Sequence, residues 1–209
     1  MLNENQLYNN KLKFLELLSK LNIDLTELVK YLDTHDYFNK PASAQFFRAY
    51  PGGLCQYALD LYYELAQLVN AYCPGKYTEE DVIKVALFKD IYKAELFEAY
   101  TKNVKNDLTG QWEAILAYRY QEDRAVYGDL PFSSFMTARK FIELTEEQIE
   151  AIMHSTASGS YGGDIHEILR KYQLVGEMLR NIDFLVSENN VGQSLTFQIN
   201  IKAGGSDVK

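Results

Sequence analysis

Ala49-Tyr50-Pro51-Gly52-Gly53-Leu54-Cys55-Gln56-Tyr57-Ala58-Leu59 and, further on, Val85-Ala86-Leu87-Phe88-Lys89-Asp90-Ile91-Tyr92-Lys93 decide the reading of this chain. Pro51-Gly52-Gly53 breaks the backbone, and the residues behind it predict a long helix over roughly 54–72. Leu54, Ala58, Leu61, Tyr62 and Leu65 fall on its inward face. The second segment closes a helix that begins behind Thr78-Glu79-Glu80-Asp81, with Thr as cap and carboxylates in the first turn. Each segment sets polar groups among apolar ones: Tyr57 in the first, Lys89 and Asp90 in the second. Flanked by Ala86-Leu87-Phe88 and Ile91, Lys89 is expected to be partly buried.

Helical signals extend outward from this pair. Leu7, Leu12, Leu15, Leu18 and Leu21 recur at helical spacing over 4–21, and Asp24 caps a helix carrying Leu25, Leu28, Val29 and Leu32. Further helices are predicted at 132–142, at 145–155 behind Thr145-Glu146-Glu147-Gln148, and from Asp164 to about Glu188. Over 112–130 the pattern partly alternates, and Tyr127-Gly128-Asp129 offers a turn, so a short β-hairpin is expected there. Leu195, Phe197, Ile199 and Ile201 alternate with polar residues as one closing strand. The expected class is mostly α in a single domain. Helices in 1–40 pack on a helical domain over 41–202, and 203–209 form a frayed tail.

At 209 residues the chain is long enough for a substantial core. Its 21 basic residues against 29 acidic ones, a net charge of −8, argue against duplex nucleic-acid binding. They leave room for a small anion held by a few focused cations. No apolar run approaches a membrane span, and the polar N-terminus has no signal core. A straight helix would set Cys55 and Cys73 about 27 Å apart, too far for a disulfide. They read as reduced thiols of a cytoplasmic protein.

In their order and spacing the motif segments resemble the HD-domain phosphohydrolase superfamily, in particular its small single-domain members common in phage genomes. Those proteins run Gly-Gly-Leu-Leu-Glu-His before a helix, then Leu-Leu-His-Asp-Ile-x-Lys. A His near a Gly-His-Gly segment, a helix ending Ala-Ile-x-x-His and a late Asp follow. Here Tyr57 stands at the first His position, and Lys89 replaces the second His while Asp90 is kept. The Gly-His-Gly element falls near Leu130-Pro131-Phe132-Ser133-Ser134, which has no histidine. Ala151-Ile152-Met153-His154 and Ile182-Asp183 match the last two elements, so the resemblance covers roughly residues 40–188.

The resemblance implies an HD-like helical bundle, in which His and Asp hold divalent cations that activate water and clamp phosphate. This chain departs at the ligands. An ammonium has three donors and no acceptor, so Lys89 cannot coordinate a cation without losing its proton. A phenol with a pKa near ~10 is a poor substitute for imidazole. Asp90, His154 and Asp183 remain. The expectation is a catalytically inactive protein with no metal or other cofactor, in which the Lys89 ammonium takes the cation's place between Asp90 and Asp183.

The ligand implied is a small phosphorylated compound, a nucleotide or nucleotide-derived signal. Lys93, Arg139 and Arg180 would meet its phosphates, and Tyr57 and Tyr161 would stack on a base. Tyr57 has an equal claim as a core residue filling the space left by imidazole and metal. In a phage setting such binding would sequester a host immune signal without cleaving it. Two other readings stay open. One is an active phosphohydrolase with a rearranged site on Asp90, His154 and Asp183. The other is a protein-interaction module whose tyrosines and N-terminal helices dock on a host protein or a second copy. Cys55 reads as inert core, and His35 and His166 have no assigned role. Gly159–Gly163 lacks the strand and the Lys-Ser/Thr ending of a phosphate loop.

Overall fold

Local capping sets the first helices. Asn3 accepts from Gln6 N at 2.9 Å and the Gln6 side chain accepts from Asn3 N at 2.9 Å, a reciprocal capping box that opens α1 (Glu4–Ser19). Thr78 and Asp81 repeat the device at α4 (Glu79–Phe88). Between them lie α2 (Thr26–Thr34), a 3-10 turn (Tyr37–Asn39) and α3 (Gly53–Tyr72). After α4 come α5 (Lys93–Leu96), β1 (Phe97–Lys105), β2 (Trp112–Tyr120), α6 (Leu130–Ala138) and α7 (Glu146–Met153). The computed structural model describes residues 2–45, 47–72, 74–122 and 128–153.

α3 is the central element, packed against α4, α1 and the 3-10 turn. All five residues expected on its inward face are buried. α1 departs from expectation in part: Leu18 and the following Leu21 are buried as expected, but Phe14 and Leu17 also face the core while Leu12 is exposed. One buried cluster runs from Phe14 on α1 to Ile152 on α7, so the N-terminal helices share the core of the rest. α7 is tied to α4 by Gln148, whose side-chain amide donates to Asp81 Oδ1 at 2.7 Å. No described helix is long and apolar enough to cross a membrane.

The expected fold class needs correction in its β structure. In place of a short hairpin within 112–130, the described residues carry a two-stranded antiparallel sheet of two nine-residue strands, β1 and β2. Its register pairs Phe97 with Tyr120 and Lys105 with Trp112. The turn falls at Asn106–Gln111, where Asn106 Oδ1 accepts from Leu108 N and Thr109 N and Gly110 takes a φ of +70°. β1 escaped the period-two reading because most of both its faces meets solvent. Gly128-Asp129 opens a helix instead: Asp129 Oδ1 accepts from Phe132 N at 3.0 Å as the cap of α6. The helix expected over 164–188, the strand at 195–201 and the tail at 203–209 lie outside the described residues.

Candidate functional site

Gly52 and Gly53 explain how the chain enters α3. Gly52 has a φ of +79°, the left-handed region that glycine adopts freely. A Cβ on Gly53 would stand 2.2 Å from the carbonyl oxygen of Arg48. The pair lets the turn at Arg48 close onto the first turn of α3. Arg48 itself holds a φ of +47°, an uncommon conformation for a side-chain-bearing residue, and its carbonyl accepts from Ala42 N at 3.1 Å.

Around Tyr57, one turn into α3, three cations gather. Lys89 Nζ is 5.3 Å, Lys93 Nζ 5.5 Å and Arg48 Cζ 5.9 Å from the centre of its ring. Phe47 meets the same ring edge-on at 5.1 Å. Lys89 sits at the C-terminal cap of α4, only 2% exposed, and donates to Tyr57 Oη and to Asp90 Oδ2, both at 3.2 Å. Lys93, on the first turn of α5, donates to the same Asp90 oxygen at 3.1 Å. One carboxylate oxygen thus serves two buried ammonium groups.

Burial by itself pushes the Asp90 carboxyl up, but the Lys89 and Lys93 ammonium groups outweigh it and hold the group below its ordinary value. Burial also depresses Lys93, against the pull of Asp90 and with the repulsion of Lys89. Tyr37 lies near Asp90 and Cys55, and burial raises its hydroxyl well above the ordinary range. That hydroxyl is buried with no hydrogen-bond partner among the described residues.

Arg48 escaped the reading of the sequence. Its only signal there is its place just ahead of the Pro-Gly-Gly break. The side chain is buried, and one guanidinium nitrogen, Nη2, lies 2.6 Å from Asp60 Oδ2. Nε and Nη1 are buried without a hydrogen-bond partner among the described residues. Two unmet donors on a buried guanidinium are costly unless an acceptor reaches them.

Of the expected site residues, the fold brings Tyr57, Lys89, Asp90 and Lys93 together. It leaves Arg139 out: this residue is exposed at the C-terminal cap of α6, its guanidinium 5.9 Å from the ring of Phe135. No described ion pair or hydrogen bond links it to the cluster. Tyr57 is 3% exposed and ringed by cations and Phe47, so it is a core residue and not a stacking platform for a base. His154, Tyr161, Arg180 and Asp183 lie outside the described residues. The Cys55 thiol is pushed up to about 12 by burial, as suits inert core. Clefts bounded by described residues lie elsewhere, one lined by Leu65, Val69, Val82 and Gln148, another by Leu7, Tyr8 and Lys11.

The divalent metal implied by the HD resemblance can be tested against these side chains. A cation at Asp90 would have to displace two ammonium groups, one of them at the position of a ligand histidine. Neither ammonium offers a lone pair. Among the described residues no group of three or more His, Cys, Asp or Glu gathers closely enough to hold a metal. The described part of the site does not fit a divalent cation. It fits an anion better, because among the described residues three cationic groups pair with two carboxylates, Asp90 and Asp60, and Arg48 keeps two buried donors unmet. Comparison with family models, with curated proteins and with solved structures gives no match to this chain.

Proposed function

We propose that this protein binds a small phosphorylated ligand at the cluster of Arg48, Tyr57, Lys89 and Lys93 and holds it without cleaving it. The observation that carries the reading is Arg48. It is a buried guanidinium with two donors unmet, beside two further cations that share one carboxylate. A planar guanidinium suits bidentate contact with a phosphate, and such charge-assisted bonds are strong in a buried setting. The nucleotide class of the ligand rests on the resemblance to HD phosphohydrolases. So does the wider setting, sequestration of a nucleotide signal in a host cytoplasm. The absence of cleavage rests on Lys89, which offers donors where the related enzymes offer a metal ligand.

Native mass spectrometry and calorimetry on the purified chain test this reading with inorganic phosphate, nucleoside mono-, di- and triphosphates and cyclic dinucleotides. The expected result is a stoichiometric complex with a phosphate compound that is recovered intact. Arg48→Met, which keeps much of the side-chain volume, should weaken that complex roughly tenfold or more, as the loss of a charge-assisted pair does. Turnover of the ligand, or an affinity that Arg48→Met leaves unchanged, would sink the proposal.

A further inference from the structure

The β1–β2 ribbon presents an unusual surface. Leu108 at its tip is 96% exposed and Trp112 71%, with Ile115, Leu116 and Tyr120 also exposed. Only Phe97 and Tyr118, near its base, are buried. A two-stranded ribbon with both edges open is marginal in water and invites a further strand. Among the described residues no third strand pairs with it.

The hydrogen-bond phase shows which groups are on offer. Gln121 N donates to Leu96 O at 3.0 Å and Asn106 N to Gln111 O at 2.8 Å. In an antiparallel pair, inward and outward backbone groups alternate from residue to residue. The odd-numbered residues of β2 therefore turn their backbone groups toward β1. Trp112, Ala114, Leu116 and Tyr118 turn theirs to the open edge.

The order of side chains along that edge specifies what fits it. Trp112-Glu113-Ala114-Ile115-Leu116-Ala117-Tyr118-Arg119-Tyr120 is complementary to itself when reversed. Antiparallel pairing about Leu116 sets Glu113 opposite Arg119, Trp112 opposite Tyr120, Ala114 opposite Tyr118 and Leu116 opposite Leu116. The Glu113–Arg119 pair falls at a non-hydrogen-bonded position, where side chains approach most closely. Arg119 already bonds Glu98 at 2.6 Å through Nε, and its fork has donors left for a second carboxylate. A parallel pairing in register would instead set Glu113 on Glu113 and Arg119 on Arg119. On the β1 edge, reversal about the central Thr101 faces Phe97 with Lys105 and Glu98 with Val104.

We propose that the outer edge of β2 is the self-association site of this protein, joining a second copy in an antiparallel four-stranded sheet about a two-fold axis through Leu116. Main-chain bonds supply the adhesion and the two symmetry-related Glu113–Arg119 pairs supply the direction and register. The proposal is independent of any ligand at the Arg48 cluster.

Light scattering on the full chain should give twice the 24.1 kDa protomer mass. Glu113→Arg sets like charges opposite at both ends of the sheet and should weaken the dimer roughly tenfold or more. The double variant Glu113→Arg with Arg119→Glu restores opposite charges and should recover it. Leu116→Cys places thiols across a pair whose Cα atoms lie about 5.5 Å apart, within disulfide reach, so mild oxidation should link two chains. Thr101→Cys, on the opposite edge, should not link. A wild-type chain that stays monomeric at about 100 µM overturns the proposal. So does a dimer indifferent to Glu113→Arg in a variant whose circular dichroism remains native, or cross-linking through position 101 in place of 116.

Discussion

The Lys89 ammonium donates to the phenol oxygen of Tyr57 at 3.2 Å, across 32 positions of sequence, while its other described hydrogen bond goes to the adjacent Asp90. This contact turns two separate helix termini into one buried charged cluster. The cost of burying Lys89 is met by a carboxylate, a hydroxyl and an aromatic face. Such a cluster adds little net stability, but it is expensive to break on one side.

Removing different members should therefore cost different amounts. Asp90→Asn removes the carboxylate that the two buried ammonium groups share, and about 3–5 kcal/mol of unfolding free energy should be lost. Lys89→Met leaves Asp90 paired with Lys93, so its cost should be clearly smaller. Urea unfolding of both variants decides the point, and a larger loss for Lys89→Met would contradict the shared role of Asp90.

Acid should act through the same carboxylate. The folded state holds Asp90 below its ordinary 3.8, so its contribution is fully present above that value. The contribution drains away as pH falls through the lower folded value. Lys93, depressed below 10.5 in the folded state, binds fewer protons there than when unfolded, so its contribution also rises with pH as 10.5 is approached. Stability measured against pH should fall on the acid side with a limb that Asp90→Asn makes shallower. An unchanged acid limb in that variant would refute the assignment.

Gly53→Ala tests how the Arg48 turn is held. The added methyl would meet the Arg48 carbonyl at 2.2 Å, a backbone atom that cannot swing aside. About 1–3 kcal/mol of stability should be lost, as for other overpacked sites. Phosphate-ligand affinity should drop with it, because the guanidinium moves with its backbone. Full ligand affinity in a destabilised Gly53→Ala chain would separate Arg48 from the binding site.

Rebuilding the histidines examines the resemblance. Tyr57→His with Lys89→His replaces an ammonium and a phenol by two groups with lone pairs beside Asp90. The double variant should gain measurable affinity for a divalent transition metal by calorimetry, where the wild-type chain shows less. Equal metal binding by both would remove the reason for reading Lys89 as a substitute for a cation.

Much of the helical scaffold was legible because its signals are local. Thr78 with Asp81, and Thr145 with Gln148, satisfy helix N-termini three residues away. The apolar spacing of α3 marked its buried face before any partner was known. The ribbon is hard to place from sequence because β1 carries charged and polar residues on both faces, which blurs a period of two. The ribbon turns at Asn106–Gly110, while the Gly128-Asp129 pair, which carries the stronger turn signal, caps α6.

By itself the sequence determined where helices start, which faces they bury, and that Lys89 and Asp90 sit inside an apolar segment. Only the tertiary structure decided what surrounds them. Arg48 joins Tyr57 because two glycines let the turn just ahead of them close on α3, and Lys89 joins it across 32 positions because α3 packs on α4. Caps and periodicity are interactions between near neighbours, so they can be read along the chain. A charge cluster is a sum over groups far apart in sequence, and its members are known only when the core has brought them together.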